Sequence, residues 1–279
     1  MFEGKHWWIT GASSGIGSAL AVALSRAGAR LVLSGRNVGA LKEVAAACGN
    51  DPLLLPFEAT DYAAIPSIVE TAWRHASASG GRIDGLVNNA GISQRSLAVE
   101  TVFDVYQKIV AVDLLAPIAL TQAILPRLVM AGGGDIVAIS SVAGLVGAPL
   151  RTAYSAAKHG LIGYHDSLRA ETAHQGLRVM VVAPGSVRTN VSRNALGATG
   201  EARGASDAAI DNGLAPEDLA LRILDGLREG KRELIFAEGM EAEIVKLRRQ
   251  NPEALFDLMA QMVAGGYAQR MGAEASKGS

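Results

Sequence analysis

A single cysteine, Cys48, in 279 residues leaves no partner for an internal disulfide and too few thiolates for a multi-cysteine zinc site. The 5 histidines show no ligand spacing, so no metal centre is expected. Neither sign of charge dominates. The 26 Lys and Arg stand against 27 Asp and Glu, which excludes a broad basic footprint for nucleic acid or an acidic membrane. Charge is scarce altogether, at 19% of residues against 49% hydrophobic, so the chain is neither disordered nor a solvated coiled coil. No apolar run reaches the roughly 18 uninterrupted residues of a spanning helix. The first residues, Met1–Lys5, lack the basic segment and apolar core of a signal peptide. Repeats, low-complexity tracts and Pro/Gly/Ser linkers are missing too. These absences lead us to expect a soluble, reduced, cytoplasmic protein with a core that buries about 75% of the extended-chain surface.

What is present is alternation. Short apolar runs at Trp7–Thr10, Arg30–Ser34, Pro52–Pro56, Gly85–Asn88, Asp135–Ser140, Arg178–Ala183 and Glu233–Ala237 are separated by helical patterns of crossover length. Strands buried on both faces read as nearly continuous apolar runs, so the pattern predicts an α/β fold, a doubly wound parallel sheet with helices on both faces. Trp7 and Trp8 adjoin on the first strand and therefore face opposite sides of the sheet. The one composition shift, Asn190–Asn212, is rich in Gly, Ala, Ser and Asn. Structureless segments of that length are often lids, so 190–212 is the candidate substrate lid.

The first strand ends in Thr10-Gly-Ala-Ser-Ser-Gly-Ile-Gly17, and a helix follows. Glycine permits the turn, brings backbone close to a pyrophosphate and lets helix and strand pack. The helix N-terminus offers free N–H groups to an anion. Gly11, Ser13, Ser14, Gly15, Ile16 and Gly17 are therefore a candidate phosphate cradle. The same residues satisfy G-x-S-x-G, the nucleophile elbow of α/β-hydrolases, with Ser13 as nucleophile. That rival fares badly on position, because an elbow normally follows several strands and this turn ends the first. None of the histidines that follow, His75, His159, His165 and His174, lies in an obvious strand-end loop.

The second strand ends Leu33-Ser-Gly-Arg36-Asn37, where a dinucleotide site usually carries Asp or Glu for the ribose 2′-hydroxyl. No carboxylate stands at this edge. A guanidinium there binds a 2′-phosphate with paired hydrogen bonds, so Arg36, with Asn37 beside it, selects NADP(H) over NAD(H). The alternative is a solvated arginine at the start of the next helix. Farther on, Ser141 follows the fifth strand, and Tyr154-Ser-Ala-Ala-Lys158 places a phenol and an ammonium on one helix face. The ammonium stabilises a phenolate, and the phenol becomes a usable acid or base. A serine hydroxyl can polarise a carbonyl oxygen. Tyr-x-x-x-Lys alone is common; its weight comes from the glycine turn upstream.

Thr10–Gly17, Asn88-Asn-Ala-Gly91, Ser141, Tyr154-Ser-Ala-Ala-Lys158 and Pro184-Gly-Ser-Val-Arg-Thr189, in that order and spacing, resemble the short-chain dehydrogenase/reductase family over residues 4–237. The resemblance implies a single Rossmann domain with a seven-stranded parallel sheet and reversible hydride transfer between NAD(P)(H) and an alcohol or carbonyl. It implies that Tyr154 is the acid or base, Lys158 holds the nicotinamide ribose and stabilises the phenolate, and Ser141 binds the substrate oxygen. Asn89, Ala90 and Gly91 would line the adenosine ribose, and Asn88 would brace the sheet. Pro184, Gly185, Val187 and Thr189 would flank the nicotinamide end. Glu58 and Ala59 stand where the family usually has Asp-Val beside adenine. Asp113 stands where the family has Asn, whose main-chain carbonyl holds a relay water. Residue 117 is Pro and cannot donate an N–H to the carbonyl of 113, so the main-chain role can persist.

Residues 238–279 form an expected C-terminal helical extension beyond a 1–237 catalytic domain. Asn251-Pro252 can cap a helix, and Leu255, Leu258, Met259, Met262 and Val263 make one apolar stripe. Glu253, Asp257 and Gln261 on the polar face argue against lipid, so the stripe should roof the substrate site or meet another subunit. The expectation is an NADPH-dependent oxidoreductase for a small-to-medium, mostly apolar ketone or secondary alcohol, assembled as a homodimer or homotetramer. The alternatives are a 3-oxoacyl-thioester reductase and a non-catalytic NADP-sensing regulator. An intact Ser141, Tyr154 and Lys158 counts against the last.

Overall fold

Apolar runs and glycine turns place the strands nearly where the pattern expects them. The computed structural model describes residues 1–49 and 51–271. Residues 272–279 of the expected extension lie outside the described residues. The strands are β1 His6–Thr10, β2 Arg30–Ser34, β3 Leu53–Leu54, β4 Ile83–Asn88, β5 Gly134–Ile139, β6 Leu177–Pro184 and β7 Glu233–Phe236. All pair in parallel, in the order β3-β2-β1-β4-β5-β6-β7. The third strand is shorter than the run Pro52–Pro56 suggests. A proline at each end cannot donate to a ladder, and one more bond, Leu55 N–H to Leu33 O, ends the pairing.

The winding direction reverses between β1 and β4, which opens a crevice at the carboxyl ends of those strands. Helices α1 Gly15–Arg26 and α2 Val38–Cys48 flank β2; α3 Ile65–Ala78 precedes β4. Helices α4 Phe103–Val110 and α5 Ala116–Met130 are joined by a π-helical turn, Ala111–Leu115. Next come α6 Thr152–Thr172, the short α7 Ala208–Asp211 and α8 Pro216–Arg228. Helices α9 Gly239–Gln250 and α10 Pro252–Ala264 follow β7.

Two cores result. Trp7, Ile9, Leu31 and Leu33 meet α1, α2 and α8 on one face of the sheet. Trp8, Val32, Leu86 and Ile136 meet α3, α5 and α6 on the other. The adjoining tryptophans thus occupy opposite faces, as strand alternation requires. The continuous helix Phe103–Met130 is long and apolar enough to cross a membrane by length and composition, although charges interrupt its apolar run. In the fold Leu120, Ile124 and Leu128 pack in the second of these cores, and Val105 and Ile109 in a smaller cluster with Ala153, Ala157 and Leu196.

The π turn has a local cause. A proline in a helix removes a donor and clashes with the carbonyl four residues back. Pro117 sits one turn after Asp113, and the widened turn, with Ala116 N–H bonded to Ala111 O, accommodates it. Such turns gather at functional positions.

The segment 190–212 is folded down on its neighbours. Leu196 N–H donates to Ser93 O and Arg95 N–H donates to Leu196 O, both across the loop that follows β4. The C-terminal helices also dock. Val245 and Leu255 bury against Val142 and Val146, just beyond Ser141, and Met259 joins them. The rest of the expected stripe is less enclosed, and Val263 remains 36% exposed.

Candidate active site

The glycine turn has the conformation the spacing calls for. Gly11 and Gly15 have φ of +63° and +56°, a region that favours glycine. A Cβ on Gly17 would lie 2.3 Å from Gly11 O, so only glycine lets α1 start this close to β1. Ser14 is extended at the helix N-cap, and α1 starts at Gly15 with no acidic residue in its first turn. The loop after β4 is stitched to this turn. Asn89 Nδ2 donates to Thr10 O at 3.0 Å and Gly11 O at 3.1 Å, and Thr10 Oγ1 accepts the N–H groups of Asn89 and Ala90. The Asn89 side chain therefore serves the turn itself rather than standing free for a ribose. Asn88 Nδ2 donates to Thr121 Oγ1 at 2.9 Å, tying β4 to α5.

At the end of β2, Ser34 is buried and accepts from Trp8 Nε1 at 2.9 Å. Arg36 is 72% exposed and pairs at 3.6 Å with Glu58, the residue beside Ala59. The other Glu58 oxygen accepts from Thr60. The end of the second strand put Arg36, and the family resemblance put Glu58, near one cofactor end, with no sign that they meet. Asn37 Oδ1 caps α2, accepting from Ala40 N–H at 3.1 Å.

On the reacting side, Ser141 follows β5 and caps a short 3₁₀ turn. Its Oγ accepts from Ala143 N–H at 3.1 Å, which leaves the hydroxyl hydrogen free to donate elsewhere. Tyr154 and Lys158 lie one turn apart on α6. Lys158 Nζ is 5.6 Å from the centroid of the Tyr154 ring, donates to Ile139 O at 3.0 Å and lies 3.2 Å from Asp113 Oδ2. Asp113 is fully buried in the π turn, and its Oδ1 accepts from Ile92 N–H at 2.9 Å. Burial pushes the Asp113 carboxyl up, against the opposing pull of Lys158 and Ile92 N–H. Burial also disfavours the Lys158 ammonium, but the charges of Asp113 and Tyr154 outweigh it and hold its pKa above the ordinary value. Gly91 completes this corner: a Cβ there would lie 3.0 Å from Asp113 Oδ2 and 3.4 Å from Lys158 Nζ.

The loop after β6 closes the site. A Cβ on Gly15 would come within 2.9 Å of Thr189 Cγ2, so the glycine turn and the Pro184–Thr189 loop touch. Val187 bridges to Leu214, just past the 190–212 segment.

Two sets of residues here carried no sequence signal. Glu241 of α9 accepts from Ser186 N–H and Oγ–H, 55 residues away. Asp207 of the 190–212 segment is buried and paired with Arg95, whose Nε lies at 2.7 Å, and with Arg203. Burial alone would raise the Asp207 carboxyl; Arg95, Arg203 and Ser192 hold it below its usual value. Burial and the nearby Arg151 lower Arg95 to about 10. No described hydrogen bond gives the hydrolase rival a base. Among the described residues the ring bonds of His6, His159 and His165 go to Ser79, Ser155 O and Leu161 O, not to Ser13. Cys48 is buried, which pushes its thiol up to about 11, so it is a poor nucleophile. Among the described residues no cluster could hold a metal ion.

The family model of the short chain dehydrogenases matches residues 5–198. The chain belongs to the short-chain dehydrogenase/reductase family. This short-chain dehydrogenase/reductase is 37% identical over 255 residues to "Dehydrogenase/reductase SDR family member 7B" of Mus musculus, covering 90% of this chain and 79% of that protein. It also superposes on a short chain dehydrogenase/reductase from Burkholderia phymatum in complex with NAD, at a TM-score of 0.79 and 23% identity, covering 91% of this chain and 95% of that one. A short-chain dehydrogenase from Sphingobium yanoikuyae in complex with NADPH superposes with a TM-score of 0.72 at 26% identity, over 90% and 95% of the two chains. The family consists of oxidoreductases that bind a nicotinamide cofactor and act on small molecules. The cradle of this short-chain dehydrogenase/reductase fits such a cofactor: α1 starts at Gly15 with no acidic residue in its first turn and no side chain capping its N–H groups, which suits an anion.

Proposed function

We propose that the protein is an NADP(H)-dependent carbonyl reductase, equivalently an alcohol dehydrogenase, for small-to-medium, mostly apolar ketones and secondary alcohols. The observation that carries the reading is Lys158, an ammonium buried 5.6 Å from the Tyr154 ring beside the carboxyl ends of β4 and β5. A bound NADPH supplies the hydride. Tyr154 gives its hydroxyl proton to the carbonyl oxygen in reduction and takes it back in oxidation. Ser141 Oγ–H donates to the same oxygen, since its acceptor side is already used by Ala143. Lys158 stabilises the phenolate and holds the nicotinamide ribose. Asp113 anchors Lys158 and offers its main-chain carbonyl to a relay water. The turn Gly11–Gly17 takes the pyrophosphate, Ala59 and the main chain of Asn89 and Ala90 the adenosine side, and Gly91 with Pro184–Thr189 the nicotinamide side.

Arg36, at an edge with no acid on β2, supports the choice of NADP(H), and its exposed partner Glu58 is an ion pair worth about 0–1 kcal/mol that a phosphate can displace. Leu196 of the lid packs in an apolar cluster whose margin includes Tyr154, which supports an apolar substrate. Arg95 and Arg203 are committed to Asp207 rather than forming a free basic rim, and this counts against an acyl-thioester substrate. Phe103, Leu115 and Met130 lie exposed along the helix Phe103–Met130 and support assembly as a homodimer or homotetramer.

The test is kinetic. With a ketone panel, kcat/KM is expected to be about tenfold or more higher with NADPH than with NADH, from the paired contacts of one guanidinium. Tyr154→Phe is expected to lower kcat by about 100-fold or more while NADPH still binds. Equal use of the two cofactors refutes the cofactor assignment. A Tyr154→Phe enzyme with more than about a tenth of normal kcat refutes the acid-base assignment.

A further inference from the structure

The Gly185–Thr189 loop leaves the sheet at the end of β6 and is held at three places. Gly185 N–H donates to Phe236 O of β7 at 2.7 Å. Ser186 O and Arg188 N–H bond Leu214, just past the lid, at 3.0 Å each. The third clamp is a side chain. Glu241, in the first turn of α9, accepts from Ser186 N–H at 3.0 Å through Oε2 and from Ser186 Oγ–H at 2.8 Å through Oε1. A carboxylate that takes a backbone and a hydroxyl donor together makes charge-assisted bonds, stronger than neutral ones. The approach depends on glycine: a Cβ on Gly185 would lie 1.8 Å from Oε2. Helix α9 is anchored independently by Val245, Ile244 and Leu247 against Val142 and Val146. The loop it clamps carries Thr189, whose Cγ2 lies against the Gly15 turn.

We propose that Glu241 is a positioning residue, through which the C-terminal extension fixes the Gly185–Thr189 loop for the nicotinamide half of the cofactor. The inference rests on the proposed NADP(H) reading. It makes α9 part of the cofactor site, at the opposite end from Arg36. Loss of the clamp therefore weakens contacts to one half of the dinucleotide and spares the other.

Equilibrium binding to the full-length chain separates these halves. The probes are NADPH, which spans the site, and adenosine 2′,5′-bisphosphate, which carries only the adenine side. Glu241→Ala is expected to raise the NADPH Kd by about tenfold, from the loss of hydrogen bonds to a charged group, and to leave the bisphosphate Kd unchanged. Glu241→Gln keeps the shape and one acceptor, and should give an intermediate loss; it carries the test if the alanine variant fails to fold. Ser186→Ala should add nothing to Glu241→Ala, because the two changes remove one clamp. The proposal is overturned if Glu241→Gln and Glu241→Ala bind NADPH as the wild type does, or if both probes weaken equally. A wild type that binds NADH and adenosine diphosphate better than their phosphorylated counterparts, with the same split in the variants, refutes the NADP(H) reading and leaves the Glu241 assignment standing. A wild type that binds no dinucleotide refutes both.

Discussion

A carboxylate at position 113, where the family has an amide, puts a negative charge 3.2 Å from Lys158 Nζ. That charge offsets part of what the ammonium does for a phenolate. Asp113→Asn removes the offset and keeps the shape, so the pH profile of alcohol oxidation should move to lower pH. Rates across pH 6 to 10 check this, and an unmoved profile would show that Asp113 acts only as an anchor. Glu58 is a second residue whose charge works against the site. It lies 3.6 Å from Arg36, close to where a 2′-phosphate would pair. Glu58→Gln should lower the NADPH Kd several-fold, within the roughly 0–1 kcal/mol range of an exposed pair, and leave the NADH Kd unchanged; titration with both cofactors reads it directly. At this scale the sequence was legible wherever chemistry depends on local spacing. Tyr154 and Lys158 share a helix face because they are four apart, and Gly11, Gly15 and Gly17 crowd one turn because they are neighbours. The pairs Arg36–Glu58 and Asp207–Arg95 join distant segments, and residue type alone does not say which acid meets which base.

The elements were legible for a different reason. Parallel strands with both faces covered must be apolar, so β1, β2, β5 and β6 stood out, while the prolines that bound Pro52–Pro56 cut β3 to two residues. Helix α10 begins where Asn251 and Pro252 place it, with Asn251 Oδ1 accepting from Ala254 N–H at 3.1 Å. Its stripe is only partly enclosed, because a helix on the rim of a domain meets core along one edge. Leu255 takes that edge, and Val142, Val146 and Val245 lie under it. Removing 251–279 should uncover those side chains, at about 1.5–3 kcal/mol for each one fully buried. The expected result is a higher KM for the carbonyl substrate with an unchanged mass by light scattering. A change in mass instead would place a neighbouring subunit on α10. The lid composition marked 190–212 as unusual, yet its buried Asp207 strap could not be foreseen, since Arg95 lies 112 residues away.

Over the whole molecule, stability has an acid limit set in the core. His165 is fully buried, donates through Nδ1–H to Leu161 O at 2.8 Å, and is held neutral by burial, down to about 4 from an ordinary 6.5. Below pH 6.5 the unfolded chain takes up a proton that the folded one refuses, so stability falls as pH drops from 6.5 towards 4. The loss by pH 5 should be about 2 kcal/mol. Urea midpoints at pH 7.5 and pH 5 measure it, and His165→Leu should remove this part of the slope. The reversal of winding between β1 and β4 has a consequence for how the chain is made. A ribosome releases the glycine turn first, but its neighbour Asn89 emerges 78 residues after Gly11, and Glu241 a further long stretch after Ser186. A nascent chain therefore has an unstitched glycine turn until the loop after β4 has left the exit tunnel, and an unclamped Ser186 until α9 follows.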